Sequence, residues 1–145
     1  MFYLGYGSRY AGIPAADHYA SSNRELLVTV QIETARGVEN VAEIAGVPGV
    51  DAIFLGPADL SQSLGIPGEW DHPRLKEAID TTIRAGCAAG KIVGAMSSSL
   101  DQASEWVEKG VRYLATALDM ALLRQALVTE AAAVRKRLGW QPPEL

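Results

Sequence analysis

An α/β fold of successive parallel strand–helix units is predicted by three features of this 145-residue sequence. Apolar runs of strand length recur at residues 26–32, 52–55, 91–96 and 113–118. Each is followed by a stretch with helical periodicity, and strands that alternate with helices pair in parallel through right-handed crossovers. Polar residues interrupt the apolar runs at their C-terminal ends, where β/α barrels build their sites. Four such units therefore read as half a barrel rather than a small open sheet.

Taken in order, residues 1–13 carry Gly5, Gly7 and Gly12 without a period and read as a loop. The Gly5-Tyr6-Gly7 pair does not follow a strand and lacks the third glycine of a dinucleotide fingerprint, so a nucleotide fold is not indicated. Residues 14–23 form a short helix with Pro14 in its first turn. The run LLVTVQI at 26–32 has the composition of a strand buried on both faces, yet Gln31 and Glu33 break it. Alternation sets those two side chains on the same face, with Val28, Val30 and Ile32 opposite.

Residues 34–45 are predicted as one helix with Val38, Val41, Ala42 and Ala45 on its apolar face, ended by Gly46, Pro48 and Gly49. After the strand at 52–55, Gly56 and Pro57 lead into a helical turn over 58–64, with Asp59 just past the strand end. A loop follows at 65–70. Asp71-His72-Pro73 then opens a helix, Asp71 serving as N-cap and Pro73 sitting in the first turn. Its buried stripe reads Leu75, Ala78, Ile79, Ile83 and Cys87. The strand at 91–96, the Ser97-Ser98-Ser99 loop, a helix at 100–109 stopped by Gly110, the strand at 113–118 and an amphipathic helix from about residue 120 to 138 complete the pattern. Pro142 and Pro143 forbid helix in the tail. One domain over 1–139 and a tail over 140–145 are the expected organisation.

With 48% hydrophobic residues the chain can bury a core, and its formal charge is −4. No basic stripe with interleaved aromatics is present, which argues against a nucleic-acid partner. The cluster at Arg135, Lys136 and Arg137 closes a helix, where cations suit the dipole. No apolar run reaches the ~20 residues of a membrane span, and the N-terminus lacks the regions of a signal peptide. A cytoplasmic protein without a membrane partner is the expectation. Cys87 is the only cysteine, so no intrachain disulfide can form, and no zinc-ligand spacing occurs.

Glu33 and Asp59 stand at equivalent ends of strands one unit apart. Parallel neighbours lie about 5 Å apart, so two carboxylates there can hold one hard divalent cation, whose oxygen ligands sit at roughly 2.0–2.2 Å. The competing reading makes Glu33 the cap of the helix that follows it and Asp59 the start of the next.

Gln31-Ile32-Glu33-Thr34 and Gly56-Pro57-Ala58-Asp59-Leu60-Ser61, in this order and with Asp71-His72-Pro73 downstream, resemble the HpcH/HpaI aldolases, the 4-hydroxy-2-oxoheptanedioate aldolase group. The likeness runs from the Gly5-Tyr6-Gly7-Ser8 segment to the final helix. It implies the second half, strands 5–8, of a (β/α)8 barrel. It also implies a class II aldehyde-lyase that uses Mg²⁺ or Mn²⁺, with Co²⁺ a further candidate, to cleave 4-hydroxy-2-oxo acids to pyruvate and an aldehyde. By the same resemblance Glu33 and Asp59 match metal ligands, and Gln31 matches a side chain beside the oxo acid. Gly56, Pro57 and Ala58 match the backbone that meets the pyruvate carboxylate, and Ser8 matches a serine at the substrate mouth. The family's catalytic histidine and its substrate-binding arginine belong to early strands that have no counterpart in this chain, and Leu4 stands where arginine is usual. The catalytic base is therefore unassigned. His18 and His72 read as surface or capping residues.

Three functions follow: an aldolase whose activity needs the complementing N-terminal half, a non-catalytic remnant that binds metal and oxo acid, and a citrate-lyase-β-like acyl-CoA lyase. Unpaired edge strands and an apolar last helix add the expectation of a homo-oligomer.

Overall fold

The computed structural model describes residues 12–140. Its elements are α1 (Ala15–Glu25), β1 (Thr29–Ile32), α2 (Ala35–Glu39), α3 (Val41–Gly46), β2 (Ala52–Leu55), α4 (Pro57–Ser63), α5 (Pro73–Ala88), β3 (Ile92–Met96), α6 (Leu100–Glu108), β4 (Tyr113–Ala115) and α7 (Asp119–Leu138). The strands form one parallel sheet in the order β1-β2-β3-β4, the arrangement of a partial β/α barrel.

Register sorts the side chains into two faces. Ile32, Leu55, Ala95 and Leu114 lie in one row across the sheet. That face is the buried one: Ile32, Ile53, Leu55, Val93 and Ala95 pack with Val41 and Ala45 of α3, Leu75, Ile79 and Ile83 of α5, and Trp106 of α6. Gln31, Phe54, Gly94 and Tyr113 form the adjoining row on the other face. There the Phe54 and Tyr113 rings meet edge to face at 5.6 Å. A Cβ on Gly94 would lie 2.5 Å from Phe54 Cδ2, so the rings can approach only across a glycine. Burial of β1 on both faces is not found, since Thr29 and Gln31 are exposed. Tyr113 is likewise 45% exposed.

Other expectations are corrected. The helix over 34–45 divides at Asn40, whose backbone leaves helical geometry and whose Nδ2 donates to the Arg36 carbonyl at 2.8 Å, a local bond that competes with helix continuation. His72, not Asp71, caps α5: its Nδ1 accepts from the Arg74 amide at 3.1 Å, while Asp71 pairs with Lys76. Cys87 is exposed. Four-residue steps from Leu75 advance about 40° each beyond a full turn, so by position 87 the stripe has rotated about 120° off the core face. Thr82 and Gly86 hold that face instead. A Cβ on Gly86 would come within 2.7 Å of Val93 Cγ2, so the helix seats on the sheet through a glycine.

β1 and β4 are shorter than their apolar runs. Ahead of β1 the Val28 amide donates to the Asp51 side chain at 2.8 Å, and Leu26, Leu27 and Val28 are exposed. α7 buries no residue, leaving Leu122, Leu123 and Leu127 on its surface. Among the described residues no helix is long and apolar enough to cross a membrane.

Candidate functional site

At the C-terminal ends of β1 and β2 the chain brings three of the singled-out residues together. A Cβ placed on Gly56 would lie 3.0 Å from Glu33 Cβ, 3.2 Å from Glu33 Oε2 and 3.4 Å from Gln31 Nε2. The missing side chain at Gly56 thus lets the Glu33 carboxylate and the Gln31 amide lie close against the backbone at the end of β2. Strand alternation accounts for their company: Gln31 and Glu33 are two residues apart, and the ladder continues past β1 through the Gly56 amide, which donates to the Ile32 carbonyl at 3.1 Å.

Glu33 is not a helix cap. Thr34 does that work, its Oγ1 accepting from the Gly37 amide at 3.0 Å. Asp59 lies in the first turn of α4, which begins at Pro57 and has no side-chain cap. Among the described residues neither the Glu33 nor the Asp59 carboxylate hydrogen-bonds or pairs with a cation. One acid stands on the loop after β1 and the other in the first turn of the helix after β2, with an amide beside the first; carboxylate oxygens are the ligands that hard divalent cations take. Among the described residues no group of three or more His, Cys, Asp or Glu side chains gathers as a cage. A cation bound by Glu33 and Asp59 would therefore take its other oxygens from water or substrate.

The loops that carry these residues are tied to one another. Ser63 Oγ of α4 accepts from the Ala35 amide at 3.0 Å, which joins the loop after β1 to the helix after β2. Ser61, buried, donates to the Ala58 carbonyl at 2.7 Å and accepts from the Gly68 amide at 3.2 Å. It thereby fastens the loop that bears Trp70 to the Pro57-Ala58 turn.

His72 is the cap of α5, and His18 lies in α1, its ring 5.7 Å from that of Tyr19. Ser8 and Leu4 lie outside the described residues. Reading the sequence did not single out the side chains that flank Pro57 and Ala58 on the β3 side. They are Trp70, Met96, Ser97, Ser98 and Gln102, around a pocket of about 430 Å³. Met96 at a strand end carried the one available signal; Gln102, a turn into α6, carried none.

Comparison with known proteins bears on this geometry. The family model for HpcH/HpaI aldolase/citrate lyase matches residues 4–126. The chain is 39% identical over 128 residues to a hydroxypyruvate/pyruvate aldolase of Delftia acidovorans, covering 88% of this chain and 47% of that protein. It is 36% identical over 134 residues to a 2-keto-3-deoxy-L-rhamnonate aldolase of Escherichia coli, covering 86% and 50%. An HpcH/HpaI aldolase/citrate lyase family protein from Burkholderia cenocepacia superimposes with a TM-score of 0.78 at 37% identity, covering 88% of this chain and 50% of the other. The chain thus spans about half the length of the relatives it matches. With the match extending over the paired strand-end motifs and the sheet that carries them, the chain belongs to the HpcH/HpaI aldolase/citrate lyase family.

Proposed function

We propose that this chain supplies the metal- and pyruvate-binding portion of a class II aldolase that cleaves 4-hydroxy-2-oxo acids to pyruvate and an aldehyde. The observation that carries the reading is the close approach of Glu33 Oε2 and Gln31 Nε2 to Gly56, where the ends of β1 and β2 meet. Glu33 and Asp59 would hold Mg²⁺ or Mn²⁺. Bound there, the cation supplies Lewis-acid stabilisation of the negative charge that develops on the 2-oxo oxygen.

The chain's own residues do the rest of the binding. Gln31 Nε2 is a donor for an oxygen of the oxo acid. The first turn of α4 has no side-chain cap, which leaves the Ala58 and Asp59 amides to meet a carboxylate. No base for the 4-hydroxyl proton is found among the described residues. Cleavage therefore needs a group from the rest of a whole barrel, whether in the same polypeptide or in a complementing one.

The test is calorimetric titration of Mn²⁺ into the chain with and without pyruvate. Two protein ligands leave positions that a chelating oxo acid fills, so pyruvate is expected to tighten Mn²⁺ binding about tenfold, and Asp59→Ala to abolish that gain. Equal Mn²⁺ affinity in wild type and Asp59→Ala would remove Asp59 from the site. Saturable binding of coenzyme A without pyruvate binding would favour an acyl-CoA lyase instead. Metal-dependent pyruvate binding with no cleavage, even beside a complementing half, would leave a binding remnant.

A further inference from the structure

The pocket beside the Pro57-Ala58 turn is walled by the Trp70 ring, the Met96 thioether and the Pro57 ring, with Ser97, Ser98 and Gln102 as its polar lining. We propose that it receives the aldehyde-derived end of the substrate and selects neutral, hydroxylated tails, with Gln102 Nε2 as the specificity-determining donor. This rests on the reading of Glu33, Asp59 and the Gly56–Ala58 segment as the pyruvate site.

Continuity is the first argument. In a 2-oxo acid the two oxygens that chelate lie on one edge. The second carboxylate oxygen and C3 lie on the opposite edge, so a segment that meets that carboxylate oxygen also borders C3 and whatever it carries. Pro57 and Ala58 are that segment, and both line the pocket. Its volume of about 430 Å³ leaves room for several carbons beyond C3.

The orientation of Gln102 is the second argument. The Ser98 amide can only donate, so the Gln102 atom 2.8 Å from it is the oxygen, which the Ser98 hydroxyl also reaches at 3.1 Å. That fixes the side-chain amide. Its nitrogen, turned from Ser98, has no acceptor among the described residues, and Gln102 is one of the residues that line the pocket.

Charge is the third. Among the described residues no lysine or arginine lines this pocket, Lys76 and Lys109 lining instead the neighbouring cavity beyond Trp70 and Gln102, and a carboxylate buried without a cation is costly. Glu33 and Asp59 nearby would add repulsion. A hydroxyl or carbonyl oxygen satisfies Gln102 at no such cost.

The probes are pyruvate, 6-hydroxy-2-oxohexanoate and 2-oxoadipate, none of which has a 4-hydroxyl, so none can undergo the aldol cleavage. Each is titrated calorimetrically into the full chain with Mn²⁺ present. The hydroxylated probe is expected to bind about tenfold tighter than pyruvate, from one hydrogen bond and added apolar contact, and 2-oxoadipate no tighter than pyruvate. Gln102→Met, which keeps the volume and removes the donor together with the acceptor of the Ser98 bonds, is expected to lower affinity for the hydroxylated probe roughly 3- to 10-fold and leave pyruvate unchanged. Gln102→Glu, which keeps the acceptor for Ser98 and loses the donor, is expected to lower affinity for the hydroxylated probe likewise. The hydroxylated probe should also quench tryptophan emission in wild type and not in Trp70→Phe. Metal-dependent pyruvate binding with no gain from the hydroxylated tail, or tighter binding of 2-oxoadipate, overturns the subsite and leaves the pyruvate site standing. Pyruvate binding that ignores Mn²⁺ and Asp59→Ala overturns the site on which it rests, and absence of binding by every probe overturns both.

Discussion

Gly56 shows how one absent side chain can define a site. Its φ is −109°, in the range open to other residues, so alanine there meets a spatial obstacle rather than a left-handed backbone. The obstacle is Glu33: an added Cβ would sit 3.0 Å from Glu33 Cβ and 3.2 Å from Oε2. Glu33 is half-exposed and can swing away. Gly56→Ala is therefore expected to cost under about 1 kcal/mol of stability while weakening Mn²⁺ binding about tenfold, because the carboxylate leaves its place. Chemical denaturation and calorimetry on the same preparation separate the two effects. A large stability loss with unchanged Mn²⁺ affinity would count against the site. Glu33 and Asp59 were legible in the sequence because a carboxylate at the end of an apolar run needs a reason, and hard-cation chemistry gives one. Gln102 was not legible: it matters only because the loops after β2 and β3 bring Pro57, Trp70 and Met96 around it, and none of those lies near it in sequence.

At the scale of elements, the strand–helix rhythm could be read because buried parallel strands are apolar runs and the helices between them carry one apolar face. β2, at Ala52–Leu55, falls where its apolar run does. Errors came where the third dimension decides. Residues 26–28 are as apolar as a strand, yet Asp51 captures the Val28 amide. The α5–α6 contact was invisible in sequence for the same reason. Lys109, just past α6, pairs with Asp80 of α5 at 2.9 Å and with Glu105 at 2.9 Å. The hydrogen bonds that Lys109 donates to Asp80 and Glu105 raise its pKa above its ordinary 10.5. A raised folded-state value favours the protonated form, so the contribution is fully present below pH 10.5 and disappears as pH rises through the folded value. Because the side chains stay about a third exposed, Lys109→Met is expected to cost only about 0.5–1 kcal/mol at neutral pH. Urea melts should show the two proteins converging as the pH rises past that range; a difference that persists there would mean the lysine acts through packing on Trp106 instead.

The whole molecule is one well-packed layer and one uncovered face. Helices cover Ile32, Leu55 and Ala95, but Tyr113 and Ile92 remain 45% and 41% exposed, and α7 adds further apolar surface. Among the described residues the outer edges of β1 and β4 pair with no further strand, and such edges are templates for other strands. At micromolar concentration the chain is accordingly expected to associate, and light scattering that shows a monodisperse monomer would refute this. The same incompleteness governs turnover. Of the two histidines of the sequence, His72 commits Nδ1 to capping α5, and His18 lies in α1 beside the Tyr19 ring. A missing general base is worth about 10²- to 10⁴-fold in rate. The chain alone is therefore expected to release pyruvate from 4-hydroxy-2-oxo acids at most weakly, yet to retain decarboxylation of oxaloacetate, which has no 4-hydroxyl proton to remove. Pyruvate release from both substrates, measured with Mn²⁺ before and after adding a separately expressed N-terminal half from a relative, tests this. Recovery of aldol cleavage on addition, with little change in decarboxylation, would place the base in the complementing half. Cleavage by the chain alone at ~10 s⁻¹, an ordinary enzymatic rate, would mean that a base lies within this sequence after all, and His18 and His72 would be the first residues to replace.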